Sequence, residues 1–155
     1  SKKIKKFNYF VKKISIQSNG TQIALALNKS DDFRGFSQNL DFLAIMDVEK
    51  DSVIYTDIEM FQLFNWSPSG KMLLLRDLHD YYIVEYPELR KRKIDVGKNI
   101  NPAYFIDDNN LVAIENIATQ STAYKQLVLY DITDYKVKDT LYCEDTYIDN
   151  LTLYQ

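Results

Sequence analysis

Phe64-Asn65-Trp66-Ser67-Pro68-Ser69-Gly70-Lys71-Met72-Leu73-Leu74-Leu75 is the stretch from which the fold can be read. It holds a short strand ending in Trp66, a Ser-Pro-Ser-Gly turn, and a second strand that is apolar throughout. Pro68 presets φ near about −65° for the second turn position, and Gly70 can take the positive φ that follows. Looser copies lie on either side. Upstream, Lys13-Ile14-Ser15-Ile16-Gln17 alternates with period two, as a half-buried strand does. Ser18-Asn19-Gly20-Thr21 is a hairpin signal, and the run from Gln22 to Leu27 is apolar enough to be covered on both faces. Downstream, Asn101 to Ile106, the turn Asp107-Asp108-Asn109-Asn110 and Leu111 to Ile117 follow the same order.

Each copy is followed by two more strands. After the first come a polar loop, Leu40 to Val48, a turn, and Ser52 to Ile58. After the second come Tyr81 to Tyr86 and the highly charged Arg90 to Val96. After the third come Leu127 to Ile132 and Lys136 to Tyr142, reached through a loop expected at Ala118–Lys125. The expected sets are therefore 13–58, 60–96 and 101–142, with a lone strand at 147–154 that looks like the first of a fourth set. First turns begin at Ser18, Ser67 and Asp107, at intervals of 49 and 40 residues. A period of about 40–50 residues built from four strands is that of propeller blades. No long segment has helical periodicity, which excludes helical solenoids; Ala118–Lys125 has room for one helical turn at most.

Composition agrees with an all-β chain of one domain's length. The 155 residues are 46% hydrophobic and 26% charged, proportions of a globular protein, and 14% aromatic, which favours strands. With only 4 Gly and 3 Pro, Asn and Asp must supply many of the turns. A net charge of −3 argues against a dedicated nucleic-acid binder, whose affinity would rest on neutralising phosphates. Its positive charge is clustered at Lys2–Lys13 and Arg90–Lys93, which reads as a solvated face and a charge-protected edge strand. A single cysteine, Cys143, excludes an intrachain disulfide framework and a cysteine-based zinc site, and is expected to be a small buried hydrophobe. No apolar run approaches ~18 residues, so no membrane helix is expected. No signal peptide is visible, and the cytoplasm is the default compartment.

The segment Trp66–Leu74 resembles the Trp-Ser-Pro-Asp-Gly-Lys-x-Leu-Ala hairpin of WD-repeat and TolB-like β-propellers. Leu127-Val128-Leu129-Tyr130-Asp131-Ile132-Thr133 resembles their third strand, which often ends in an aromatic followed by Asp. Leu43 to Val48 is a weaker copy, and Tyr82 to Tyr86 weaker again. The resemblance covers residues 13–155. No blade has a Gly-His or a Trp-Asp dipeptide, and His79 is the sole histidine, so the hydrogen-bond network of a standard WD repeat is not expected. The resemblance implies blades that need neighbours, closing into rings of about 4–8. Three blades and a lone strand are too few for a ring. The expectation is a partial propeller, completed by more of a larger protein, by a protein partner or by self-association.

A search for chemistry finds little. Asp77, His79 and Asp80 are the only carboxylate–histidine cluster, yet they share one short turn with no nucleophile beside them. Ser67 and Ser69 lack the flanking glycines of a nucleophile elbow, and Asp107–Asn110 is too compact for an EF-hand loop. There is neither a P-loop nor a dinucleotide fingerprint. No catalytic, cofactor-binding or metal-binding residue is therefore assigned, and no cofactor is expected. Tyr81, Tyr82, Tyr104, Tyr124, Tyr130 and Tyr135 exceed what core filling needs; they suit either an interface or simply strands. The loops Ser30–Asn39 and Ala118–Lys125 fall at the same point of their blades, making Phe33, Arg34, Phe36 and Tyr124 the candidate partner contacts. The function expected first is a non-catalytic scaffold for protein–protein interaction. One alternative is the substrate-access propeller of a prolyl-oligopeptidase-like hydrolase. Another is an RNA-associated, translation-factor-like propeller.

Overall fold

The computed structural model describes residues 9–28, 41–96, 99–118, 123–134 and 136–144. They form twelve strands in three antiparallel four-stranded sheets, each with its strands in sequence order, and contain no helix. The first sheet holds β1 (Phe10–Ile16), β2 (Gln22–Asn28), β3 (Asp41–Asp47) and β4 (Ser52–Met60). The second holds β5 (Gln62–Trp66), β6 (Met72–Arg76), β7 (Tyr81–Glu85) and β8 (Arg90–Ile94). The third holds β9 (Ile100–Phe105), β10 (Asn110–Ala118), β11 (Ala123–Asp131) and β12 (Lys136–Glu144). The all-β architecture read from the repeat is thus present.

The differences lie at element ends. Met60 closes β4 opposite Asp41, past a bulge in β4 itself, instead of opening the next sheet. The described ends of the expected loop at Ala118–Lys125 are strand: β10 and β11 stay paired out to Ala118 and Ala123, which places Tyr124 opposite Ile117. An Ile–Tyr cross-strand pair suits a sheet better than a loop. Phe33, Arg34, Phe36, Tyr135, the lone strand 147–154 and the side chain of Cys143 lie outside the described residues.

The sheets stack in chain order, with β1, β5 and β9 side by side as the innermost strands. Sequence alternation sorts each buried strand onto two cores. Ala24, Ala26, Leu43, Ile45 and Met60 of the first sheet meet Leu63, Trp66, Leu73, Leu75 and Val84 of the second. On the second sheet's other face, Phe64, Leu74, Tyr81 and Ile83 meet Ala103, Phe105, Leu111, Ala113, Val128 and Tyr130 of the third. A bulge between Leu63 and Trp66 is what lets both face the first sheet while Phe64 faces the third. Burial pushes the Tyr130 phenol up to about 12, and that of Tyr81 also rises. The Tyr81 hydroxyl donates to the Ile100 carbonyl at 3.2 Å, so its polar end is satisfied inside the core.

One bond recurs in all three sheets. The amide following the third strand donates to the carbonyl at the end of the first turn: Val48 to Thr21 (2.9 Å), Tyr86 to Lys71 (2.8 Å) and Ile132 to Asn109 (2.9 Å). It aligns Ile23, Leu73 and Leu111 as equivalent positions. The residue before that amide is acidic each time. Asp47 accepts from the Lys50 amide (2.9 Å), Asp131 from the Thr133 amide (2.8 Å), and Glu85 pairs with Arg90.

Neighbouring sheets are keyed through the same turns. Gln17 Nε2 donates to the Gly70 carbonyl at 2.7 Å and Ser18 Oγ to the Pro68 carbonyl at 2.9 Å. Trp66 Nε1 donates to the Ser15 carbonyl at 3.0 Å. Toward the third sheet, the Ser69 amide donates to Asp108 Oδ1 at 3.1 Å. Asn65 Nδ2 donates to the Phe105 carbonyl (3.1 Å), while Asn65 Oδ1 accepts from the Phe105 amide (3.0 Å). Truncating a buried Trp costs about 3–5 kcal/mol and losing one such hydrogen bond about 1 kcal/mol, so apolar packing holds the stack and the polar keys set its register.

Gly70 has φ +71°, and a Cβ there would lie 2.1 Å from Gln17 Nε2. Gly20 has φ +74° with nothing within 4 Å of its would-be Cβ. Gly20→Ala should therefore cost about 1–2 kcal/mol of backbone strain, and Gly70→Ala about 1 kcal/mol more because Gln17 is displaced from its bond, a difference that urea unfolding would resolve. Asp47 is held down to about 2 from an ordinary value of 3.8, first by the Lys50 amide and then by Gln22 and the Lys50 ammonium. Its stabilisation is complete above its unfolded value and is lost as pH falls through 2. Asp47→Asn should flatten the acid limb of thermal stability between about pH 4 and pH 2, with little change in the slope above that range.

Candidate interaction surface

The catalytic candidates resolve into turns. Asp77 Oδ1 accepts from the amides of His79 (2.9 Å) and Asp80 (2.8 Å), and these bonds hold its carboxyl below the usual range against the opposing effect of burial. Asp107 does the same with the amides of Asn109 (2.7 Å) and Asn110 (2.9 Å). Both are side-chain-capped turns, in which the carboxylate substitutes for a backbone acceptor. Among the described residues no group of three or more His, Cys, Asp and Glu side chains could hold a metal. Among them, no helix is long and apolar enough to cross a membrane.

The basic run Arg90–Lys93 forms β8, at the edge of its sheet, and is engaged locally. Arg90 and Arg92 pair with Glu85, the latter at 3.7 Å, and Lys93 with Asp80 at 2.8 Å. The Lys91 ammonium lies 4.0 Å from the Tyr82 ring centroid and donates to the Glu59 carbonyl at 3.2 Å. An edge strand protected by charge accounts for all four side chains. The tyrosines go mostly inward: Tyr81 and Tyr130 are buried, and Tyr104 packs edge-on against Phe64. Tyr124 is half-buried on β11, on the same side of the sheet as Val128 and Tyr130.

What the sheets expose is an apolar face. Two cross-strand rows span the first sheet on the side away from the second: Ile14–Leu25–Ala44–Tyr55 and Ile16–Ile23–Met46–Val53. Ile14 and Ile16 are each 55% exposed and Tyr55 52%, whereas Leu25 and Ala44 are buried between their neighbours. Tyr9 folds over part of this face, edge-on to Phe42 at 5.0 Å and tilted to Tyr55 at 5.8 Å. The equivalence of Ile23, Leu73 and Leu111 gives the face its meaning. Leu73 packs on the first sheet and Leu111 on the second, while Ile23 points the same way with no described sheet beyond it. Contiguous apolar surface of this kind marks an interaction site. Sequence alternation predicted two apolar faces for β2; which of them meets a sheet depends on stacking, which no local signal reports.

Residues 1–155 expressed alone should bind an apolar dye and self-associate through this face. Ile14→Lys with Ile16→Lys should reduce both by several-fold while leaving the β-sheet circular dichroism unchanged, as light scattering and dye fluorescence would report.

No family model matches the chain, and no curated protein matches it. Among solved structures it is similar to Pyrococcus horikoshii acylaminoacyl peptidase, with a TM-score of 0.69 and 14% identity over 88% of this chain and 25% of that one. It is similar to TolB from Acinetobacter baumannii, with a TM-score of 0.59 and 12% identity over 84% of this chain and 32% of that one. Porphyromonas gingivalis dipeptidyl peptidase 4 follows, with a TM-score of 0.54 and 13% identity over 90% of this chain and 26% of that one. The chain thus spans between a quarter and a third of the length of these proteins. At such identities the likeness is one of fold: it supports the propeller part of the sequence resemblance and not the WD-repeat type specifically. The three sheets are blades of a β-propeller.

Proposed function

We propose that these three blades belong to a larger β-propeller that screens access to the active site of a hydrolase, in the manner of prolyl-oligopeptidase-like enzymes. The supporting observation is the likeness of nearly nine-tenths of the chain to two peptidases, each matched over only about a quarter of its own length. The uncovered row Ile16–Ile23–Met46–Val53 fits the same picture, since a further blade would cover it. In that arrangement the catalytic groups reside outside this chain, which contributes wall. Its innermost strands β1, β5 and β9 would line the opening.

A non-catalytic interaction scaffold, completed by a protein partner or a second copy, is the second function to weigh; TolB, which is not named for an activity, is the likeness that favours it. An RNA-associated propeller draws no support from β8, whose four cations are engaged within the protein.

A fluorophosphonate probe applied to the full product of the parent gene separates the first two. Labelling that is abolished by replacing a serine in a Gly-x-Ser-x-Gly elbow outside residues 1–155 is the expected outcome. An unlabelled, folded product with no such elbow would assign the scaffold role instead.

A further inference from the structure

One cross-strand row occupies the same place in each sheet. Ile16–Ile23–Met46 of the first corresponds to Trp66–Leu73–Val84 of the second and Phe105–Leu111–Tyr130 of the third. Trp66 is 3% exposed and Phe105 0%, each packed against the sheet before it, whereas Ile16 is 55% exposed. The outer face of the first sheet is thus the receiving half of a junction that the chain itself builds twice.

The first turns carry the polar half of each junction. Gln17, Ser67 and Ile106 are equivalent, since their amides donate across the turn to the carbonyls of Gln22 (2.9 Å), Met72 (2.7 Å) and Asn110 (3.1 Å). Counting back one residue from Thr21, Lys71 and Asn109 makes Gly20, Gly70 and Asp108 equivalent as well. Between the first and second sheets a long side chain reaches forward: Gln17 Nε2 donates to the Gly70 carbonyl and fills the space beside Gly70. Between the second and third the reach is reversed, and the Asp108 carboxylate accepts from the Ser69 amide. A receiving turn with glycine therefore goes with a long donor from the preceding sheet. The first sheet's turn has glycine, and its place is vacant. Gly20 is exposed where Gly70 is buried, and nothing lies within 4 Å of its would-be Cβ. Among the described residues no group donates to the Gly20 carbonyl.

We infer that a further four-stranded sheet of the same gene product, outside residues 1–155, covers the outer face of the first sheet. Its innermost strand is followed directly by Gln, Lys or Arg, and that side chain donates to the Gly20 carbonyl. The apolar row supplies most of the binding energy, and the donor selects the sheet, because covering the Gly20 carbonyl without a partner would be costly. A second copy docking through its third sheet does not meet this requirement. Its residue at the donor position is Ile106, whose side chain has nothing to donate. The inference rests on the reading that these blades belong to a larger propeller, and not on the hydrolase role.

Photo-cross-linking of the full product of the parent gene tests this. The probe is p-benzoylphenylalanine in place of Ile16, a position where the equivalent residues are Trp66 and Phe105 and a large ring has room. Irradiation should join it, within one monomer, to a strand outside residues 1–155, as mass spectrometry of the digest would read. The residue directly after the innermost strand of that sheet should be Gln, Lys or Arg. Val53, at the outer end of the same row, takes the probe if the Ile16 variant fails to fold, as a thermal melt would show. The milder effect of Gly20→Ala given above is that of the three blades by themselves; in the full product it should lower the urea midpoint as much as Gly70→Ala does. A cross-link to a second copy or to a different protein, one confined to residues 1–155, or none at all overturns the inference. So does an apolar residue at the donor position, or a Gly20→Ala that stays milder in the full product. Fluorophosphonate labelling does not report on this junction: a scaffold without a serine elbow can give the cross-link, and a labelled hydrolase can fail to give it.

Discussion

Everything in this structure depends on the turn Ser67–Gly70 of the middle blade. Two flat-sided sheets with apolar faces can slide over one another at little cost, because dispersion and hydrophobic burial are nearly indifferent to register. Here the sliding is stopped by directional bonds at one end of the stack. The backbone of the turn receives Gln17 and Ser18 from the first blade, and its Ser69 amide reaches Asp108 of the third. Asn65, one residue before Trp66, adds a two-way bond to the Phe105 backbone, in effect a single rung of sheet made by a side chain. Packing supplies the larger energy and the turn supplies the address.

Much of this was legible in the sequence. Pro68 and Gly70 identify the turn by their backbone preferences, the apolar runs at Gln22–Leu27 and Met72–Leu75 identify strands covered on both faces, and the spacing of first turns identifies blades. The third-strand acids were plainest at Tyr130-Asp131 and weaker at Met46-Asp47 and Val84-Glu85, which have no aromatic before the acid. Element ends were less legible. Ala118–Lys125 reads as a loop because Ala, Thr, Gln and Ser carry no strand pattern, yet its described ends are held in register by pairs such as Ile117 and Tyr124.

The candidate surfaces were harder to see, for a physical reason. Asn65 and Gln17 are ordinary polar residues in or beside alternating strands, and nothing local distinguishes one that solvates from one that bonds a neighbouring blade. The tyrosines misled in the opposite direction. Their number suited an interface or simply strands, while Tyr81 and Tyr130 are core residues packed between blades two and three. A half-polar side chain is ambiguous until the faces are assigned, and faces are assigned by stacking.

The close approach of Gln17 to Gly70 has an evolutionary corollary. A residue of one repeat occupies the space a side chain in the next repeat would need, so the two positions cannot vary independently even though they lie 53 positions apart in the chain. Copies that arose by duplication would, once keyed in this way, cease to be interchangeable. Swapping, deleting or inserting a single repeat would mismatch a lock on each side of the change. Divergence to the point where the three repeats barely resemble one another is then compatible with strict conservation of their order.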